Sequence, residues 1–250
     1  MKNFGKMSNK ENKYSSFEFR RFSISHSRSA MKVGTDGVLL GAWAPVDGCR
    51  VIWDVGSGSG LISLMLAQRS GAMIYGIELD HGAYEDMCDN FNRSEWADRL
   101  RVVEGDVNEV SVDLPTPDLI VCNPPFFSNS LSAKGESRCL ARHESTLGVG
   151  RVIALASEFL SEGGRLALVA PMDRLAEIEF EGSLRRMKMV SRVDVATTLR
   201  KGPSRVLFLF EKSNHIDPVA DITTRSLRDA DGSYSDWYCE LTKNYYLFLR

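Results

Sequence analysis

Long apolar runs are missing from this chain of 250 residues. No stretch approaches the ~20 consecutive apolar residues that a membrane-spanning helix needs. The opening MKNFGKMSNKENKYSS carries no apolar segment of the secretory type. A membrane or secreted protein is therefore not expected. Histidine is scarce, and the five cysteines (Cys49, Cys88, Cys122, Cys139 and Cys239) are scattered and odd in number. No CxxC pair or Cys/His cluster has zinc-ligand spacing, so no metal is expected. The thiols read as reduced, mostly buried side chains of a cytoplasmic protein. No GxxxxGK[ST] occurs, which excludes a P-loop. Internal repeats are absent too, and the length suits one α/β domain with a short extension.

The charge is unevenly placed. Residues 1–32 hold eight Lys or Arg against Glu11 and Glu18, in a chain whose net charge is −2, so the remainder is acidic. A basic arm on an acidic body suits a polyanionic partner, although a solvated tail has the same composition. Residues 1–16 are polar and lysine-rich and read as a disordered tail. Phe17 to Ile24 alternate aromatic and polar positions, as in a short strand or hairpin.

From Thr35 the pattern becomes regular. Thr35–Trp43 reads as a helix capped by Thr35 or Asp36. Strands are expected at Val51–Val55, Met73–Leu79, Leu100–Val103, Asp118–Cys122 and Arg165–Ala170. Helices are expected at Leu61–Arg69, Tyr84–Arg93, Val149–Leu160 and Arg174–Met187. Strand–helix alternation with near-continuous apolar strands predicts a parallel, doubly wound sheet. Two late strands, Met189–Ala196 and Val206–Phe210, have no helix between them and should pair antiparallel at one edge. Tyr234–Leu249 reads as a terminal helix whose aromatics pack on the sheet.

Asp54-Val55-Gly56-Ser57-Gly58-Ser59-Gly60 lies where the first core strand meets its helix. That crevice is where doubly wound sheets bind ligands. The GxGxG spacing with Asp54 ahead differs from the GxGxxG of a dinucleotide site. Glu78 ends the next strand, where a carboxylate can accept both hydroxyls of a ribose. Asp106 follows the third and can take a hydrogen bond from an adenine amino group. The set resembles the class I S-adenosylmethionine methyltransferases over about residues 50–210. That resemblance implies a Rossmann-like sheet of seven strands, mostly parallel with the last antiparallel. It also implies S-adenosylmethionine as cofactor, with Asp54, Gly56, Gly58 and Gly60 near its methionine part, Glu78 on the ribose and Asp106 on the adenine.

Asn123-Pro124-Pro125-Phe126 follows the fourth strand, in the same crevice. The lone pair of an aromatic amine is delocalised into its ring. It attacks a methyl group only when turned toward it, which an acceptor for each amino hydrogen achieves. The side-chain oxygen of Asn123 and the carbonyl of Pro124 can be those acceptors. Two prolines fix the backbone, and Phe126 offers a face on which a base can stack. The motif is similar to that of N-methyltransferases of adenine-N6, guanine-N2 and glutamine amides, and by itself does not choose among them.

Two further stretches resemble the bacterial tRNA adenine-N6 methyltransferases that modify the adenine beside the anticodon of a valine tRNA. They are Met31-Lys32-Val33-Gly34-Thr35-Asp36-Gly37-Val38-Leu39-Leu40-Gly41-Ala42-Trp43 and Ala141-Arg142-His143-Glu144. The resemblance runs from about Phe19 to the C-terminus; the segment before Phe17 and Ser128–Gly135 depart from it. It implies action on tRNA, and a monomer is expected. It places Thr35 and Asp36 over the methyl-donor pocket, with residues 17–48 as an extension capping it and 49–250 as the methyltransferase domain. Pro125, Phe127, Arg142, His143, Arg20, Arg21 and Lys32 are the expected substrate contacts. Arg142-His143 also suits an ordinary surface pair, and Arg200-Lys201 a solvated loop within reach of a phosphate. A DNA or ribosomal RNA amine methyltransferase, a protein glutamine methyltransferase and a non-catalytic RNA-binding module are the alternatives.

Overall fold

The structure is a computed structural model, describing residues 16–110, 113–126, 147–213 and 220–247. A hairpin comes first: β1 (Ser16–Glu18) and β2 (Ser23–Ser25), antiparallel with Phe17 opposite Ile24. Then follow α1 (Thr35–Trp43), β3 (Val51–Val55), α2 (Leu61–Arg69), β4 (Met73–Glu78), α3 (His81–Arg93), β5 (Leu100–Glu104), α4 (Val107–Val110) and β6 (Leu119–Cys122). The second half holds α5 (Val149–Phe159), β7 (Arg165–Pro171), α6 (Leu175–Leu184), β8 (Met187–Thr198), β9 (Pro203–Lys212), β10 (Asp221–Arg228) and α7 (Asp236–Thr242).

The central sheet has the order β10-β8-β9-β7-β6-β3-β4-β5, and only β9 runs against the rest. It has eight strands, not the expected seven. The β8–β9 hairpin is antiparallel as its sequence implies, but it is not at the edge, because β10 pairs parallel beside β8. The additional strand, DITTRSLR, has mostly exposed or half-exposed side chains. An edge strand with so little to bury leaves no clear alternation in the sequence.

Side chains of the central strands alternate between two cores, as a period of two requires. Leu119 and Val121 join one core, Ile120 and Cys122 the other; Ala167 and Val169 likewise oppose Leu166 and Leu168. Both faces are covered, which explains the near-continuous apolar runs. One layer comprises α1, α2, α3, the β1–β2 hairpin and the 236–246 segment. Phe19 stacks on Phe22 at 4.6 Å, and Tyr246 lies 5.9 Å from Phe19. Tyr238, Tyr245 and Tyr246 are buried there. The terminal helix is shorter than expected: Ser235 caps α7 through the Tyr238 amide, and Tyr245 and Tyr246 fold back onto the Thr242 carbonyl. Of the four described cysteines only Cys122 is buried; the other three are half-exposed, which corrects the expectation of mostly buried thiols.

Candidate functional site

Every parallel strand ends its carboxyl side on one edge of the sheet, and the turns that follow β3, β4, β5 and β6 meet there. After β3 the chain passes through three left-handed glycines, Gly56, Gly58 and Gly60, at φ +69°, +57° and +84°. L side chains rarely adopt such angles. Gly60 must also stay bare because a Cβ there would lie 2.6 Å from the Phe91 ring. A Cβ at Gly58 would meet nothing within 4 Å, so the loop backbone is open to a ligand.

Carboxylates hold this loop. Asp54 is fully buried, and its Oδ2 accepts from the Ser63 amide (3.0 Å) and hydroxyl (2.7 Å), tying β3 to the first turn of α2. Its Oδ1 is buried with no partner among the described residues. Burial raises the Asp54 carboxyl from its ordinary 3.8 to about 7, against the pull of the Ser63 hydrogen bonds. Glu78 accepts from the Gly58 amide on Oε2 (2.7 Å) and from the Asp80 amide on Oε1 (2.8 Å), which leaves a lone pair on each oxygen. Asp106 uses only Oδ1 among the described residues, accepting from the Asn108 amide (2.8 Å) and Nδ2 (2.6 Å).

A cavity of about 790 Å³ runs along this edge. It brings together Gly56, Gly58, Glu78, Asp106, Asn123 and Pro125 from the expected set. A buried orphan oxygen beside the loop, two spare acceptors on Glu78 and one on Asp106 suit a ligand with a cationic group, a diol and an amino group in that order. The cavity also admits Ser29, Ala30 and Met31 of the 17–48 extension, and Leu79 and Arg151, none of which was singled out as a site residue. Arg151 reaches from α5 to the side-chain oxygen of Asn108, whose Nδ2 donates to Asp106.

The 26–31 segment reaches the cavity because α3 clamps it. The fully buried Asp86 accepts from the amides of Arg28 (2.9 Å) and Ser29 (2.8 Å). Asn90 binds the backbone of Ser25 on both sides and donates to the Ser59 carbonyl of the glycine loop at 2.8 Å. The link from this strap to the loop spans tens of residues, so no local motif announces it.

Other expected site residues lie elsewhere. Asp54 and Gly60 are buried and do not line the cavity. Gly34, not Thr35 or Asp36, occupies the cap position of α1, without a side-chain cap bond. Asp36 instead accepts from Arg205 Nε at 2.7 Å, which pins α1 to β9, and Thr35 is exposed. Gly37 nevertheless brings the first turn of α1 beside Asn123: a Cβ there would lie 3.9 Å from its Nδ2. Pro124 is buried, and Phe126 is half-buried against the core under α5, so it does not line the cavity. Arg21 pairs with Glu95 at 2.6 Å, Arg20 donates to the Tyr246 carbonyl and Lys32 to the His26 carbonyl. None of the three lines the cavity. Phe127, Arg142, His143 and residues 1–15 lie outside the described residues. Among the described residues no group of His, Cys, Asp and Glu could hold a metal, and no helix is long and apolar enough to cross a membrane.

A seven-strand arrangement with one reversed strand, extended by β10, together with a glycine loop and an Asn-Pro-Pro turn on one edge, defines a class I methyltransferase. The family model described as Methyltransferase small domain matches residues 26–195. The solved structure of a predicted O-methyltransferase from Agrobacterium tumefaciens superposes with a TM-score of 0.65 at 20% identity, covering 84% of this chain and 96% of that one. The 16S rRNA N2 G1207 methyltransferase of T. thermophilus, solved with AdoMet and guanosine, gives 0.54 at 21% identity, covering 79% and 50%. Both show the fold. The sequence is 41% identical over 240 residues to the tRNA1(Val) (adenine(37)-N6)-methyltransferase of Porphyromonas gingivalis, covering 92% of this chain and 94% of that one. It is 36% identical over 236 residues to the enzyme of the same name from Shewanella putrefaciens, covering 93% and 99%. The chain belongs to this family of tRNA1(Val) (adenine(37)-N6)-methyltransferases.

Proposed function

We propose that this protein transfers a methyl group from S-adenosylmethionine to N6 of adenine 37 in tRNA1(Val), in the cytoplasm. The observation that carries the reading is the continuous cavity from the glycine loop, Glu78 and Asp106 to Asn123 and Pro125. Bound there, the cofactor supplies a methyl group activated by the positive charge of its own sulfur. The chain supplies position and fixed dipoles. Glu78 takes the ribose hydroxyls and Asp106 the adenine amino group, while Asp54, buried behind the loop with Oδ1 unpaired, attracts the methionine ammonium across the glycine turn. Residues 17–48 cap the cofactor through the Ser29–Met31 strap. Asn123 and the Pro124 carbonyl accept the two amino hydrogens of the target adenine and turn its lone pair toward the methyl group. No strong base is required, because the amine attacks while neutral and releases its proton afterwards. An anticodon loop suits this cleft because its bases are already unstacked, which lowers the cost of extruding one.

Incubating total tRNA with labelled methyl donor, followed by nucleoside analysis, tests the reaction. N6-methyladenosine is expected; N2-methylguanosine or labelled protein contradicts it.

Asp54 supplies a second test, because its two oxygens do different things. Unfolded, its carboxyl titrates near 3.8; folded, near 7. Between those values the native state holds a proton that the unfolded state has released, so this group makes stability fall as pH rises through that window. Asp54→Asn removes the buried charge and keeps an acceptor for Ser63. The variant is expected to melt higher than the parent at pH 8, to show a flatter stability profile from pH 4 to 7, and to bind S-adenosylhomocysteine more than tenfold more weakly. Melting curves and calorimetry read both. A variant destabilised at pH 8 with unchanged affinity contradicts the assignment.

A further inference from the structure

Asn123 divides the carboxyl edge. Toward β3, β4 and β5 lie the glycine loop, Glu78 and Asp106; on the other side stand β7, β9 and β8, which carry none of those groups. The β8–β9 hairpin outreaches β7 on this side. Pairing with β7 ends at Pro171 opposite Arg205, whereas β8 runs on from Val195 to Thr198 and into the tight turn Leu199–Lys201. At about 3.3 Å per residue the tip stands roughly 10 Å beyond the end of β7. It lies two to three strand spacings of about 4.8 Å from β6, so about 12 Å to the side of Asn123.

The base of the hairpin is fixed. Arg205 is bonded to Asp36 of α1, and β10 flanks β8 as far as Arg228 opposite Thr198. The tip presents Leu199, which is 68% exposed, and the exposed Arg200 and Lys201. These two cations have no hydrogen bond or ion pair among the described residues. Several other described cations on this side have partners. Arg28 faces Glu85, Asp86 and Asp89, and Arg174 faces Glu177; Arg151, in the cavity itself, bonds the side-chain oxygen of Asn108. Arg228 lies over the Tyr234 ring, and the nearby Asp231 accepts from Ser233. Among the described residues, Arg200 and Lys201 thus form an adjacent pair of cations without a partner beyond this edge, whereas Arg20, Arg21 and Lys32 of the basic N-terminal segment each have one.

We propose that the β8–β9 tip is the element that grips the phosphate backbone beside the target adenine, with Arg200 and Lys201 on phosphates and Leu199 against a sugar or base. This rests on the reading of the chain as a tRNA methyltransferase. Phosphate contacts position a nucleic acid without reading its sequence, and a rigid hairpin holds them at a fixed distance from Asn123.

The test is tRNA binding by the full-length protein over a salt series, with R200A/K201A and the charge-retaining R200K/K201R. For R200A/K201A we expect tRNA Kd and KM about tenfold higher at low salt. The log Kd against log salt slope should be smaller by about 1.5, the share of two phosphate contacts. S-adenosylhomocysteine affinity and kcat at saturating tRNA should stay unchanged, R200K/K201R should bind like the parent, and Arg21→Ala should change little. An unchanged slope and affinity in R200A/K201A overturns the proposal, and so does equal loss in R200K/K201R. Failure of the parent to methylate any tRNA would instead sink the functional reading itself.

Discussion

Asn123→Ala is expected to bind S-adenosylhomocysteine within threefold of the parent while its single-turnover methyl transfer slows roughly a hundred- to a thousandfold, the loss typical of removing one preorganised polar partner of the reacting group. The asymmetry follows from position. Asn123 leaves the end of β6, whose side chains are buried in both cores, and Pro124 behind it is buried. Removing the amide leaves these supports in place, and the cofactor groups sit on β3, β4 and β5. What disappears is one of two acceptors that orient the amine. The remaining Pro124 carbonyl holds one amino hydrogen but cannot stop rotation about that bond, so the lone pair spends little time in line. Rapid-quench turnover beside calorimetry separates the two effects. Turnover at the parent's rate contradicts the role.

Glu78→Ala should act in the opposite way, with S-adenosylhomocysteine affinity falling about a hundredfold and kcat at saturating cofactor changing far less. A hydrogen bond to a charged group contributes about 1.5–3 kcal/mol, and two ribose hydroxyls depend on this carboxylate. The same side chain also takes the Gly58 amide at 2.7 Å, so its loss frees the loop that faces the cofactor. Glu78→Gln keeps one acceptor oxygen and should fall between, near tenfold. An affinity for Glu78→Ala within twofold of the parent would remove Glu78 from the site.

The parts of this molecule that were legible in the sequence are those whose cause is local. β3 and its helix are found at the expected bounds, since VIWDV is buried on both faces and three glycines end it. The β8–β9 pairing followed from the missing crossover helix. β10 escaped because an edge strand with one thin buried face has little pattern to show. Thr35 and Asp36 looked like a cap because the residue types are right, but Arg205, 169 positions away, takes the Asp36 carboxylate. Asp86 and Asn90 were illegible for the same reason: each looks like a polar helix residue until the 25–29 segment is laid against it. Arg20, Arg21 and Lys32 read as a phosphate-binding arm from their charge alone, whereas their geometry gives each an internal partner. Arg200 and Lys201, read as a solvated loop within reach of a phosphate, have no hydrogen bond or ion pair among the described residues.

The proposed reaction requires that one adenine amino group, at position 37, be delivered to Asn123. Methyl incorporation into an unmodified tRNA1(Val) transcript, beside the same transcript with guanine at position 37, measures it directly. About one methyl group per molecule is expected, as N6-methyladenosine, in the first and none in the second. Equal incorporation into both, or label on any other base, would contradict it.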